Sequence, residues 1–117
     1  MTGRERIVIA AALILVPSLA WGAGDAAKGK DLYAANCSSC HGDTGKGDGP
    51  AGAALDPKPR DLSDKAAMAS VTDQQMTDVI KKGGPAVGKS ALMAPFGDSL
   101  KDDEIADVVA FIRSLAK

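Results

Sequence analysis

The chemistry of this chain is concentrated in five residues, Cys37-Ser38-Ser39-Cys40-His41, which hold both cysteines and the single histidine of 117 residues. A C-x-x-C-H run is the attachment motif of haem c. Each thiol adds across one porphyrin vinyl group, and the neighbouring imidazole turns inward as the iron's proximal ligand. No other feature constrains the fold as much, because a covalently held porphyrin becomes part of the core. Three other readings of the motif fall short. A thioredoxin-like C-x-x-C belongs in a βαβ pattern, and the sequence shows no convincing strand. A structural zinc site takes four nitrogen or sulfur ligands, and the motif supplies three. A plain disulfide leaves His41 without a role.

The N-terminus bears on where such a haem is attached. Arg4, Glu5 and Arg6 precede an apolar stretch from Ile7 to Val16. That stretch is shorter than the roughly 20 residues of a membrane-spanning helix. Its positive start and small-residue exit predict a secretory signal peptide, interrupted by Pro17 and Ser18. Ala20 and Gly22 suit a cleavage site after Gly22, and cleavage after Ala20 competes with it. If the segment is retained, it serves as a membrane anchor. The expected organisation is a signal peptide at 1–22 and one domain at 23–117, exported to the periplasm, where c-type haem is attached.

Removing the first 22 residues leaves 95, with 12 basic and 14 acidic side chains and a formal charge of −2. Nothing in that balance suggests nucleic acid. A domain of this size buries a modest core and gains from a staple. Without Trp21 its aromatic residues are Tyr33, Phe96 and Phe111, a sparse set that suits a core completed by a porphyrin.

The remaining pattern is helical. Asp25 is placed to cap a helix running to about Asn36, with Gly29, Leu32, Tyr33 and Asn36 along one stripe. A glycine inside a helix costs about 1 kcal/mol against alanine, so Gly29 implies close approach of another helix. From Gly42 to Asp64, glycines and prolines predict a long loop that wraps one edge of the haem. Its glycines do not form a phosphate loop, since no strand precedes them and no Lys-Ser/Thr follows at the required spacing. Thr72-Asp73-Gln74-Gln75 has the form of a capping box. It opens a helix carrying Met76, Val79 and Ile80 that stops at Lys81-Lys82-Gly83. Ile105, Val108, Val109, Ile112 and Leu115 mark a final amphipathic helix, with Asp102, Asp103 and Glu104 at its positive end. The expected fold is therefore all-α, a single domain with three main helices and no repeats.

With one histidine in the chain, the iron's sixth position falls to a methionine or stays open. A thioether there makes an electron carrier with a raised potential, and an open position makes a ligand binder or catalyst. Met68 lies in a weakly patterned segment, and Met76 sits on an apolar helix face where core packing is the simpler role. Met93 lies in Leu92-Met93-Ala94-Pro95-Phe96, a loop in which Pro95 keeps Ala94 extended. Core filling is the competing role for Met93 as well.

Taken together, Gly29 and Tyr33 before Cys37-x-x-Cys40-His41, then Leu92 to Phe96, then the helix from Leu100 to Leu115, resemble a class I c-type cytochrome of the small mono-haem bacterial type. The resemblance spans Asp25 to Lys117. It implies the cytochrome c fold around one haem c, joined through Cys37 and Cys40, with His41 and Met93 as iron ligands. It also implies that Gly29 and Tyr33 pack against Phe111, and that a proline carbonyl, here Pro50, accepts the proximal imidazole's Nδ1–H. Lys101 stands where relatives often place Ser or Thr, which moves the expected cap to Ser99 or Asp102. Where some relatives have a tryptophan for a haem propionate, Arg60 is the candidate.

The function expected from this is non-enzymatic one-electron transfer between redox partner proteins, such as a dehydrogenase, an oxidase or another cytochrome. Lys81, Lys82 and Lys89 near Met93, with Lys46 after the motif, form either a rim that steers acidic partners or ordinary solvated lysines. The rival reading is a haem enzyme or gas-binding module with an open or displaceable sixth position. A free shuttle and a permanent subunit of a redox complex read alike in sequence.

Overall fold

The computed structural model describes residues 9–14, 24–89 and 93–117. Both candidate cleavage sites, and Leu92 of the methionine loop, lie outside the described residues. Five α-helices follow in order: α1 (Ala26–Asn36), α2 (Ser38–His41), α3 (Lys65–Ala69), α4 (Asp73–Lys82) and α5 (Asp102–Leu115). Single 3-10 turns stand at Gly52–Ala54 and Pro85–Val87, and no strand occurs among the described residues.

The three longer helices begin where their capping chemistry puts them. Asp25 Oδ1 accepts the N–H groups of Ala27 and Lys28 at 2.9 and 3.3 Å, satisfying donors that the first turn leaves without a partner. At α4 the box closes in both directions. Thr72 Oγ1 accepts the Gln75 N–H at 3.1 Å, and Gln75 Oε1 accepts the Thr72 N–H at 2.8 Å. At α5 the cap differs from expectation. Lys101 itself occupies the cap position without a side-chain bond to the first turn. Glu104 Oε1 reaches back to the Lys101 N–H at 3.0 Å, and Asp103 Oδ1 accepts the first-turn Glu104 N–H at 3.0 Å, so neither Ser99 nor Asp102 is needed.

The α1–α5 crossing is the most extensive helix contact and the centre of the core. A Cβ at Gly29 would overlap the Asp107 carbonyl and touch Phe111 Cβ, so only glycine lets α1 lie this close. One turn on, Tyr33 packs its ring against Phe111 at 5.0 Å between centroids and 57° between planes, a tilted geometry that favours the edge of one ring on the face of the other. Ile105, Val108, Val109 and Ile112 bury the apolar stripe of α5, and each such side chain contributes about 1.5–3 kcal/mol of burial. The chain enters this crossing with the Asp25 N–H bonded to Asp107 Oδ1 at 2.7 Å.

Arg113, half-buried on α5, ties the remaining elements to that pair. Its Nε donates to Asp73 Oδ1 at 2.7 Å, and its terminal nitrogens donate to the carbonyls of Met68 (3.0 Å) and Val71. Three charge-assisted bonds at one guanidinium fix the α3–α4 junction against α5. Of the two short helices, α2 is not evident in the sequence as a separate element, and the stretch that forms α3, around Met68, reads there only as weak helix or loop. Four and five residues are too few for helical periodicity to register. Outside the domain, Ile9, Leu13 and Ile14 are 85%, 92% and 82% exposed, so their apolar side chains take no part in the core.

Candidate functional site

Cys37 to His41 form the corner where α1 gives way to α2. Cys37 is at once the C-cap of α1 and the N-cap of α2. Both cysteines are half-buried free thiols. Burial, with a smaller contribution from Cys40, pushes the Cys37 thiol up to about 11. A thiol so far above neutral pH lacks the thiolate character of a C-x-x-C oxidoreductase. Among the described residues, no group of three or more His, Cys, Asp and Glu side chains is placed to hold a metal ion directly. The zinc reading therefore loses ground on geometry as well as on spacing.

A four-residue helix leaves its carbonyls without helical donors, and the glycine-rich loop supplies them. The Ala51 N–H donates to Ser39 O at 2.9 Å, the Gly49 N–H to Cys40 O at 3.2 Å, and the Gly47 N–H to His41 O at 2.8 Å. The next carbonyl, Gly42 O, accepts the Tyr33 hydroxyl at 2.6 Å and the Gly45 N–H at 3.2 Å. Four consecutive carbonyls are thus met by one loop and one side chain. A Cβ at Gly49 would overlap the Ser39 carbonyl, and one at Gly52 would overlap that of Cys40. The spacing of these glycines is dictated by how closely the loop lies against the motif.

The half-buried His41 imidazole is held mainly in its neutral form. Burial lowers its pKa below the ordinary value, and the Arg60 backbone carbonyl, as an acceptor for the ring N–H, opposes that to a lesser degree. Its Nδ1 is buried and has no partner of ordinary hydrogen-bond geometry. Pro50, the expected acceptor, lies exposed on the loop, and its carbonyl is not bonded to His41 in this structure. The backbone of Arg60, far along the same loop, is the group that acts on the ring. Sequence reading missed it because the return of the loop to the motif depends on contacts such as Leu62 N–H to Gly45 O at 2.6 Å. The Arg60 guanidinium meanwhile donates to Ala67 O at 3.3 Å.

Met93 stands on the loop between α4 and α5. Its carbonyl accepts the Gly84 N–H at 2.9 Å, and the Phe96 and Gly97 N–H groups donate to Ile80 O and Lys81 O at 2.8 and 3.0 Å. The methionine loop is thereby laid along the C-terminal end of α4, whose last carbonyls it satisfies. Met93 is half-buried against the edge of the core, whereas Met68 and Met76 are 2% and 4% exposed within it. Of the lysines near this loop, Lys81 pairs with Asp102 at 3.0 Å and Lys82 with Asp78 at 3.8 Å. Neither is an isolated positive charge. Exposed pairs like these contribute only about 0.2–1 kcal/mol.

The residues present fit a haem c: two free thiols at the required spacing, an imidazole directly after them, and a buried ring nitrogen that needs a fixed acceptor. A helical domain with this motif at its first corner defines the class of small haem-binding redox proteins. The family model for cytochrome c matches residues 26–116, and the chain belongs to that family. It is 35% identical over 95 residues to cytochrome c-554(547) of Halothiobacillus neapolitanus, an alignment covering 80% of this chain and 99% of the relative. It is likewise 35% identical over 92 residues to cytochrome c-554(548) of Halomonas halodenitrificans, covering 79% and 98%. Among solved structures it resembles the KustC0563 c-type cytochrome, with a TM-score of 0.61 and 27% identity over 76% of this chain and 98% of that one. The cofactor of the family is covalently bound haem c, for which Cys37 and Cys40 provide the C-x-x-C spacing.

Proposed function

We propose that this chain is a periplasmic one-electron carrier whose haem iron is ligated by His41 and Met93. The observation that carries the reading is His41 itself, which follows two free thiols within one helical corner and buries an Nδ1 without a partner of ordinary hydrogen-bond geometry. A haem c held there supplies a reversible ferric/ferrous couple. The protein's own residues do the rest. Cys37 and Cys40 anchor, the glycine loop immobilises the motif's backbone, and the buried Nδ1 holds its proton for a loop carbonyl, that of Pro50 or of Arg60. Such a bond sets ring orientation and ligand basicity.

Met93 is favoured for the distal position because the other two methionines of the domain are sealed in the core. Among the described residues, no helix is long and apolar enough to cross a membrane. The family match begins at residue 26, and the stretch before it is read as a leader at 1–22 that is removed on export. Redox partner proteins are expected on both sides of the exchange, and the domain works without catalysing a reaction of its own.

Carbon monoxide tests this against a haem enzyme or gas-binding module. The ferrous holoprotein is expected to show a reversible one-electron wave and to resist carbon monoxide near neutral pH. Ready binding would mean an open sixth position and would favour the ligand-binding reading.

A further inference from the structure

We propose that the Tyr33 hydroxyl is a positioning group for the His41 imidazole, acting through the carbonyl of Gly42 rather than only filling the helix crossing. The inference rests on the reading of His41 as an iron ligand. The bond from Tyr33 Oη to Gly42 O is 2.6 Å long, buried, and joins α1 to the residue that follows the imidazole.

Three features make this bond more than packing. First, the donor cannot wander: Tyr33 is 2% exposed and its ring is held against Phe111. Second, the acceptor lies at the exit of the motif. Gly42 has φ of 81°, and its N–H donates to Ser38 O at 2.8 Å. The peptide before Gly42 is fixed by that bond and by the Gly47 N–H on His41 O. The peptide after Gly42 depends on the Tyr33 hydroxyl and on the longer contact from Gly45. Third, any carbonyl that receives Nδ1–H can orient the ring only as firmly as the backbone beneath the ring is held. Carbonyls 39 to 41 receive backbone donors from the loop, whereas Gly42 takes a side-chain donor from a different helix. Beside the chain's own turn from α1 into α2, the Tyr33 hydroxyl thus links the α1–α5 crossing to the far side of the proximal ligand. Burial holds the phenol's pKa far above its ordinary range, so the hydroxyl remains a donor across the working range of pH.

The test uses the haem-loaded protein with two substitutions, Tyr33→Phe and Phe111→Leu, each made in the wild type and in Met93→Ala. The iron–imidazole stretch is read by resonance Raman in the ferrous Met93→Ala series, and the reduction potential is read in the series that keeps Met93. Tyr33→Phe is expected to broaden or shift the stretching band and to move the potential. Phe111→Leu, which loosens the ring but keeps the hydroxyl, is expected to lower the thermal midpoint and to move the band far less than Tyr33→Phe does. Placing 4-aminophenylalanine at position 33 restores a donor of similar reach and should restore the band, which also covers a poorly folding Tyr33→Phe. The proposal is overturned if Tyr33→Phe leaves both band and potential unchanged, or if Phe111→Leu moves the band as much. With the ferrous Met93→Ala parent shown by its optical spectrum to be five-coordinate, absence of any iron–imidazole band from it would instead refute His41 ligation, and the proposal would fall with it.

Discussion

At Tyr33 desolvation outweighs every other influence on the phenol, with Cys37, Asp43 and Asp48 adding smaller contributions in the same direction. The folded-state pKa lies well above the ordinary phenol value of 10.0. A group raised on folding contributes stability that is fully present below its unfolded pKa and is lost as pH rises through the folded one. Unfolding of the ferrous protein should therefore become easier above about pH 10, as the unfolded chain alone releases this proton. Tyr33→Phe should lack that component, so the two thermal midpoints are expected to converge as pH climbs. A constant gap between them would contradict the linkage. The residues that meet at this point were legible in part. Gly29, Tyr33 and Phe111 follow from helical spacing and the family resemblance, and they meet in the structure as expected. The hydroxyl's acceptor was not legible, because a bond to Gly42 depends on how the loop beyond the motif folds back.

Among the elements, the α1–α5 crossing carries the sharpest consequence. Gly29→Ala gains about 1 kcal/mol of intrinsic helix propensity, yet the added methyl meets the Asp107 carbonyl, a backbone atom that cannot swing aside. Overpacking costs about 1–3 kcal/mol or more, so net destabilisation is expected in denaturant unfolding. A variant as stable as wild type would mean that α1 can shift along α5 at little cost. The long helices could be read from the sequence because each carries its own start signal: Asp25, the Thr72–Gln75 box, and the acidic turn after Lys101. At Lys101 a rule based on cap residue type failed, since Asp103 takes the first-turn N–H of Glu104 while Glu104 reaches back to the Lys101 N–H. The helix α2 was not legible, and α3 only as weak helix or loop. Asp64 caps α3 locally, but the glycine ladder that holds α2 and the Arg113 bonds that hold α3 come from partners remote in sequence.

For the whole molecule, charge and export are the properties at issue. Pairing of Lys81 with Asp102 and of Lys82 with Asp78 leaves the surface beside the methionine loop nearer neutral than its lysine-rich sequence suggests. Electron exchange with small charged reagents is accordingly expected to depend only weakly on ionic strength, and a steep dependence would restore the basic rim. Export should yield a chain starting at Ala23 and bearing one haem. Intact mass of the periplasmic protein measures both, and a retained leader would make the domain membrane-anchored instead. The central claim, His41/Met93 ligation, is tested most directly by the oxidised optical spectrum of wild type beside Met93→Ala. The expected result is a weak band at the red end of the ferric spectrum, reporting sulfur on iron, that disappears in Met93→Ala. Its absence from wild type, or its survival in the variant, would contradict the assignment.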